Sequence, residues 1–163
     1  MSLLFTYNVE DHEKHKNKLI ELINLLPRNR NDAVSHTDWN LPVNMQKEWQ
    51  GYFFKNILYK WKDDFSDKLG EKIAYNNIWF QWYDNGDYHD WHTHAQTHFT
   101  NIYYLNLPYQ SIKTKVKVFG ETKNIDIQEG QIISFPGFWK HSSPVNNTDQ
   151  AKIIISFNTD VVV

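Results

Sequence analysis

A chain of 163 residues is short enough to form one domain, and its 40% hydrophobic residues, with 16% aromatic ones, can build a sizeable core. The formal net charge of −2 provides no basic field that would hold nucleic acid or anionic lipid, so there is no strong nucleic-acid signal. The chain has no cysteine, which excludes disulfides, thiolate ligands and a cysteine nucleophile. Any metal must therefore be bound by His, Asp, Glu or carbonyl oxygen.

The first half of the chain is predicted to be helical. Within Asp11–Leu26 the apolar residues recur at helical spacing, and Pro27 ends the segment. A second helix is predicted over Met45–Leu69, and Gly70 suits the left-handed position that follows a helix. One apolar stripe with a spacing of four runs along it and is expected to pack against a sheet: Trp49, Phe53, Ile57, Trp61, Phe65 and Leu69. Arg28–Val43 is predicted to be a loop.

The second half is predicted to be β-structure. Ile78, Phe80 and Trp82 alternate with their neighbours, as on a half-buried strand. Four further segments are rich in Ile, Val, Tyr and Phe: Thr100–Asn106, Lys115–Phe119, Gln131–Phe135 and Lys152–Asn158. Short strands separated by Gly and Pro indicate a sandwich or barrel. We therefore predict a single domain over residues 1–163, in which residues 1–72 are a helical support and residues 73–163 form the β core.

Histidines are concentrated in one short segment of the chain. Of the eight, four fall within ten positions: His89, His92, His94 and His98. A lone histidine is more often a satisfied core or surface residue than a ligand. His92 and His94, however, are two apart, so on a strand both rings would point to the same face and reach one ion. A third ligand must come from another strand, and His141, beyond the apolar segment Gln131–Phe135, is the candidate.

Lys152 lies eleven residues after His141 and begins the predicted strand Lys152–Asn158. A cation at the end of an apolar strand ordinarily keeps its ammonium in solvent. Beside a metal it could instead pair with the far carboxylate of a dicarboxylate co-substrate. Burying that carboxylate without a cation would cost on the order of several kcal/mol.

These segments together resemble the prolyl-hydroxylase-like 2-oxoglutarate/Fe(II) oxygenases. WYDNGDYHDWHTH is similar to the family strand that reads Tyr-x-x-Gly and then His-x-Asp, with Tyr83, Gly86 and His92 at matching intervals. TNIYYLN, GQIISFPGFWKHSSP and KIIISFN resemble, in the same order, three further strands of the family. The resemblance is closest to small oxygenases of phages and marine bacteria and covers roughly residues 75–160.

The resemblance implies a double-stranded β-helix, that is, a jelly-roll or cupin-like barrel of α+β, mainly β class, with N-terminal supporting helices. It implies a catalytic Fe(II) bound by His92, His94 and His141, with 2-oxoglutarate as co-substrate and O2 as oxidant. The family strands assign the distal carboxylate of 2-oxoglutarate to Lys152 and Tyr104. The full set implied to bind the co-substrate is Tyr104, Lys152, Ser156, Thr100 and Tyr83.

His94 departs from the family pattern, which has a carboxylate at this position. The usual triad of two histidines and one carboxylate leaves three positions open on the iron. Three neutral imidazoles would give the site one negative charge fewer than this usual triad has. Asp87, Asp90 or a water could supply the missing oxygen, and this alternative stays open.

The function favoured by the sequence is C–H oxidation coupled to decarboxylation of 2-oxoglutarate. Two alternatives stay open: a cupin-like three-histidine metal-binding protein that does not use 2-oxoglutarate, and a non-enzymatic β-barrel interaction module. The substrate could be a small molecule, a protein side chain or a nucleobase. No membrane partner is expected, because no apolar stretch approaches ~20 residues, and a homodimer is compatible with the sequence. We expect a cytoplasmic location, in the host if the gene belongs to a phage.

Overall fold

The fold consists of antiparallel strands with a layer of helices. The computed structural model describes residues 2–31, 34–94 and 96–163. The strands within these ranges are β1 Phe5–Asn8, β2 Arg30–Asn31, β3 Ser35–Thr37, β4 Ile73–Tyr83, β5 His89–His92, β6 Phe99–Asn106, β7 Lys115–Val118, β8 Glu121–Lys123, β9 Gln131–Pro136, β10 Lys140–Ser143 and β11 Lys152–Val161. The helices are α1 His12–Ile23, α2 Glu48–Phe53 and α3 Tyr59–Leu69, with a π-helical segment Phe54–Leu58 and a 3₁₀ turn Gln110–Ile112.

The strands form two antiparallel sheets. The major sheet has the order β1-β9-β6-β11-β4-β3-β2, and the minor sheet has the order β5-β10-β7-β8. From β4 onwards the chain crosses between the sheets at almost every connection, with only β7 and β8 adjacent in both sequence and sheet. This arrangement is mainly β and jelly-roll-like, which confirms that part of the predicted fold class. Closure of the two sheets into a barrel stays a prediction.

The predicted apolar stripe forms the contact between the helices and the major sheet. A spacing of four advances an α-helix by about 400°, so such a stripe should drift by about 40° per step. The π-helical segment between α2 and α3 has a wider turn, which compensates for this drift. As a result, Trp49, Phe53, Ile57, Trp61 and Phe65 are all no more than 2% exposed.

Alternation along the strands divides the buried residues between two cores. The outer core lies between the helices and the major sheet and includes Trp49, Phe53, Trp61, Phe80, Tyr103, Ile155 and Phe157. The inner core contains side chains of both sheets and includes Tyr83, Ile102, Tyr104, Val116, Ile133, Phe135 and Ile154. Adjacent residues such as Tyr103 and Tyr104 therefore enter different cores, as the period of two on a strand requires.

Several strands were not predicted from the sequence. β1 precedes the first helix and pairs with β9 at the edge of the major sheet. β2 and β3 lie within the predicted loop Arg28–Val43, where they extend the other edge beside β4. All three are short, and too few residues alternate to give a period. The four long strand predictions agree with β6, β7, β9 and β11 to within three residues.

No helix among the described residues is long and apolar enough to cross a membrane.

Truncation of Trp61 tests the contact between the helices and the major sheet. Trp61 is 1% exposed, stacks on Phe65 at 5.0 Å and meets Phe157 edge-on at 4.8 Å. Trp61→Ala should therefore lower the free energy of unfolding by about 3–5 kcal/mol, measured by urea denaturation. Tyr59→Ala is the control, because Tyr59 is on the same helix but 50% exposed, and it should change stability by less than ~0.5 kcal/mol. Equal losses in both variants would contradict this packing.

Candidate functional site

Three histidines meet at the junction of β5 and β10. His92 and His141 are direct partners in the antiparallel pairing of these strands, and their ring centroids are 4.2 Å apart. The ring of His94 lies 4.9 Å from that of His141. One nitrogen of each of the three rings lies within 4.8 Å of the others. His141, expected beyond a strand, is in fact part of β10, and its pairing brings it opposite His92.

The hydrogen bonds of these rings select the nitrogen that can bind a metal. His92 Nδ1 donates to the carbonyl oxygen of Asp90 at 2.7 Å, and His141 Nδ1 donates to that of Trp139 at 3.2 Å. His94 Nδ1 lies 2.8 Å from the Oδ1 of Asn158. An oxygen of this kind can only accept, so the proton is on Nδ1, and Nε2 keeps its lone pair. All three rings are thus in the tautomer that suits ligation through Nε2.

Burial keeps these rings in the neutral form that a metal requires. Desolvation lowers the pKa of His92 and of His94, and it lowers that of His141 well below the usual value. The neighbouring histidines lower the pKa of His141 further. Protonation therefore competes little with a cation for these three Nε2 atoms near neutral pH.

His94 is placed by a loop contact and not by a strand. The residue follows the end of β5, whereas the sequence predicted that it shares a strand with His92. Its backbone N–H donates to the carbonyl of Gly137 at 2.8 Å, and the N–H of Gly137 donates to the carbonyl of His98 at 2.9 Å. A Cβ on Gly137 would lie 2.4 Å from the carbonyl oxygen of Thr97 and 2.7 Å from that of His94. Glycine is therefore required at position 137 for the His94 segment to approach.

A fourth histidine, His89, stacks on the site, and its role was not predicted. Its ring lies parallel to that of His92, with centroids 3.8 Å apart. The Nε2 of Gln81 donates to His89 Nδ1 at 3.2 Å, which places the ring proton on Nε2, the reverse of the tautomer in the other three rings. Burial, together with the neighbouring His92 and His94, lowers the pKa of His89 to about 4. His89 therefore presents a neutral N–H donor beside the three candidate ligands.

The two carboxylates considered as replacement ligands have other partners. Asp87 is 1% exposed and its carboxylate pairs with Arg30 and accepts the backbone N–H of Asp84. Asp90 accepts the backbone N–H of Trp91 at 2.7 Å. Neither belongs to the group of clustered donor atoms, which within the described residues contains only histidines at this site.

Lys152 is fully buried between the two sheets. Its ammonium donates to the Ser143 hydroxyl at 2.9 Å and to the Thr114 hydroxyl at 3.4 Å, and it lies 5.3 Å from the centre of the Tyr83 ring. Burial lowers the pKa of Lys152 to about 7. An ammonium has three donors, and the described residues accept from two of them, with no carboxylate among these acceptors. This environment excludes the interpretation of Lys152 as a solvated strand end.

The other residues expected to bind the co-substrate differ in how they are placed. The Tyr104 hydroxyl is buried beside Thr114 and has no hydrogen-bond partner of good geometry among the described residues. Burial raises the pKa of Tyr83 and of Tyr104, so both hydroxyls stay protonated. Ser156 lines a narrow cavity that the three histidines also line, but Thr100 does not. The Thr100 hydroxyl is buried without a hydrogen-bond partner among the described residues.

A narrow cavity connects the histidines to the hydroxyls around Lys152. His92, His94 and His141 line one part of it, and Thr114, Ser143, Ser156 and Tyr83 are also in its wall. Lys152 and Tyr104 do not line the cavity themselves. The hydroxyl-bearing residues Thr114 and Ser143 connect the cavity to Lys152, because they are in its wall and their hydroxyls are hydrogen-bonded to the Lys152 ammonium.

A wider groove of about 790 Å³ opens on the outer side of His94. Trp39, 51% exposed, contacts the ring of Trp79 edge-on at 4.7 Å. The remaining lining is polar and includes Asn76, Asn77, Gln81, Gln96, Thr37, Thr97 and Asn158. Asp160 is the one carboxylate in its wall, and no Lys or Arg is among the described residues that line it. Sequence reasoning did not identify this groove, because its residues come from four separate segments.

No family model and no curated protein sequence matches this chain. Solved structures do match. A viral collagen prolyl hydroxylase from Paramecium bursaria Chlorella virus-1, in complex with 2OG, has a TM-score of 0.66 and 15% identity over 99% of this chain and 97% of that chain. A 2OG-Fe(II) oxygenase family oxidoreductase from Burkholderia pseudomallei has a TM-score of 0.72 and 9% identity over 97% of this chain and 84% of that one.

A third similar structure is a prolyl hydroxylase from Trichoplax adhaerens in complex with a peptide fragment of hypoxia inducible factor. It has a TM-score of 0.68 and 13% identity over 97% of this chain and 83% of that chain. At this level of identity the likeness shows a shared fold. The chain therefore has the jelly-roll-like fold of the 2OG-Fe(II) oxygenases.

Proposed function

We propose that this protein is an Fe(II)- and 2-oxoglutarate-dependent oxygenase that oxidises a C–H bond of its substrate. One observation carries the proposal. Three histidines each bring one ring nitrogen to within 4.8 Å of the others, and a buried lysine that has no carboxylate partner among the described residues lies behind the same narrow cavity. A buried ammonium that lacks a counter-ion is costly for a protein to maintain unless an anion binds there.

His92, His94 and His141 would hold the iron, since imidazole nitrogen is a suitable ligand for Fe(II). When bound, the iron supplies the activation of O2, with 2-oxoglutarate converted to succinate and CO2 and one oxygen atom delivered to the substrate. Three neutral ligands leave both positive charges of the metal uncompensated by the protein. The carboxylate of 2-oxoglutarate that reaches the metal would compensate one of them, which favours its binding at this centre.

Lys152 would hold the distal carboxylate of 2-oxoglutarate, and the hydroxyls of Tyr104, Thr114 and Ser143 would donate to it. Two facts support this role. Lys152 has an unused N–H donor, and the Tyr104 hydroxyl is buried without a partner of good geometry. Ser156 and Tyr83 line the path between the two ends. Thr100, the fifth residue of the implied set, is on β6 and is not among the residues that line this path.

The substrate would bind in the groove beside His94 and contact Trp39. A protein segment and a small molecule both fit a groove that combines an exposed aromatic face with amide side chains. The lack of a described cation in its wall disfavours a phosphate-bearing substrate such as a nucleotide.

We further propose that the two sheets close as a double-stranded β-helix, that residues 1–163 form one domain, and that the protein is cytoplasmic.

Replacing single histidines tests the metal centre. His92→Ala, His94→Ala and His141→Ala should each abolish stoichiometric binding of Fe(II), measured by anaerobic titration of the metal-free protein. His98→Ala is the matched control, because this 59% exposed histidine of the same segment is not in the donor group, and it should bind as wild type does. Normal binding by His94→Ala alone would mean that an oxygen ligand completes the site.

Replacing Lys152 tests the use of 2-oxoglutarate. Lys152→Met keeps the volume but removes the charge, and it should weaken binding of 2-oxoglutarate to the metal-loaded protein by ~2–5 kcal/mol, which is roughly 30- to 4000-fold. Iron binding should be retained, since Lys152 is not a ligand. The metal-free variant should be at least as stable as wild type, because a desolvated charge has been removed. Unchanged affinity in anaerobic calorimetry would favour a three-histidine metal protein that does not use 2-oxoglutarate.

Proton uptake provides a second test of Lys152. Because the pKa of Lys152 is lowered to about 7, the side chain is mostly neutral at pH 8, and a bound carboxylate would raise its pKa again. Binding of 2-oxoglutarate should therefore take up nearly one proton at pH 8 and almost none at pH 6. Calorimetry in buffers of different ionisation enthalpy measures this number. Lys152→Arg should show no uptake at either pH, because arginine stays charged; the same uptake in this variant would assign the proton to another group.

A further inference from the structure

We propose that Asn158 and Asn77 form an amide relay that positions His94 as a metal ligand, a role that rests on the proposed metal centre. Neither residue is a ligand, and neither was identified from the sequence. Asn158 is on β11 and is 8% exposed. Asn77 is on β4, the neighbouring strand of the major sheet.

Both amide atoms of Asn158 are hydrogen-bonded in the relay. An asparagine amide can present either its oxygen or its nitrogen to a neighbour, so by itself it does not select a tautomer of histidine. In the structure Asn158 Nδ2 donates to Asn77 Oδ1 at 2.7 Å, and Asn158 Oδ1 faces His94 Nδ1 at 2.8 Å. With its oxygen facing the ring, Asn158 keeps the proton of His94 on Nδ1. Nε2 is then the nitrogen available to the metal.

A β-bulge brings Asn77 within reach of Asn158. The register between β4 and β11 shifts between Phe157 and Thr159, where β4 has one residue more than β11. Asn76 and Asn77 are the residues of β4 at this shift, and both line the groove, although adjacent residues on a regular strand point to opposite faces. Asn76 Nδ2 donates to the Asp160 carboxylate at 2.5 Å, so both residues of the bulge are hydrogen-bonded to side chains of β11.

His94 needs this support more than the other two histidines do. His92 and His141 each donate to a carbonyl two residues earlier, so the geometry of their own segment fixes the ring. His94 lies beyond the end of β5, and its ring finds its acceptor on another element, 64 residues away in the chain. This is the position where the resembling family has a carboxylate. The relay therefore orients the one ligand by which this chain departs from that pattern.

Co(II) titration of the metal-free protein tests the relay. Asn158→Ala should weaken Co(II) binding by about 10- to 100-fold, the usual effect of removing the partner of a ligating histidine. Asn158→Asp should largely restore binding, because a carboxylate also accepts from Nδ1. Asn77→Ala should weaken binding in the same direction without a change in the urea midpoint, since Asn77 is exposed. Asn77→Ala therefore tests the relay even if Asn158→Ala does not fold.

Asn101→Ala is the matched control. Asn101 is a buried asparagine on the adjacent strand β6, where its Nδ2 donates to the carbonyl of Phe157 at 3.0 Å and to the hydroxyl of Thr159 at 3.1 Å; neither bond goes to a histidine. Its removal should lower stability but leave Co(II) affinity unchanged. A loss of affinity as large as that of Asn158→Ala would mean that both residues act through the fold, and it would overturn the relay.

The tautomer of His94 gives a readout that a purely structural role would not change. In metal-free wild type, ¹H–¹⁵N correlation spectra of the imidazoles should show His94 protonated on Nδ1, and in Asn158→Ala the Nε2-protonated form should appear. Normal Co(II) binding by wild type, with equal affinity and an unchanged tautomer in the variants, would contradict the relay alone. Absence of Co(II) binding by wild type would contradict the proposed metal centre as well.

Discussion

The alternation of side chains along β11 is the constraint on which the rest of the structure depends. One face of this strand packs on the helices through Ile153, Ile155 and Phe157. The opposite face carries Lys152, Ile154, Ser156 and Asn158, which lie between the sheets or beside the histidines. A shift of one residue in register would place Lys152 in the outer core and Ile153 at the polar cavity. Both changes would destabilise the fold. The packing of the helices therefore also fixes which polar groups face the site.

The candidate site is divided between the two sheets. His92 and His141 belong to the minor sheet, whereas Lys152 and Tyr104 belong to the major sheet. Any ligand that contacts both groups must span the space that the inner core maintains. The side chains of this core, such as Ile102 and Ile154, set the separation of the sheets and with it the distance between the histidines and Lys152.

The sequence predicted those features that depend on local periodicity. The helical stripe and the long strands follow from spacing along one segment, whereas His94 is positioned by its contact with Gly137 and not by the strand of His92. Features that depend on register between distant segments were not accessible. The partners of the relay, His94 with Asn158 and Asn158 with Asn77, are 64 and 81 residues apart. Asp38 was likewise not identified from the sequence, where it looks like any loop aspartate. Its buried carboxylate accepts hydrogen bonds from Trp49 Nε1 and from the backbone N–H of Phe80.

The position of β1 has a consequence for the order of folding. β1 is among the first residues of the chain, but its partner is β9, and the paired residues Asn8 and Gln131 are 123 positions apart. Pairings of this length require closure of a long loop before any contact is gained, which slows folding. On a ribosome, β1 would emerge long before its partner strand and would stay unpaired until β9 had followed it. We therefore expect this edge of the major sheet to form late, with the local helices formed first.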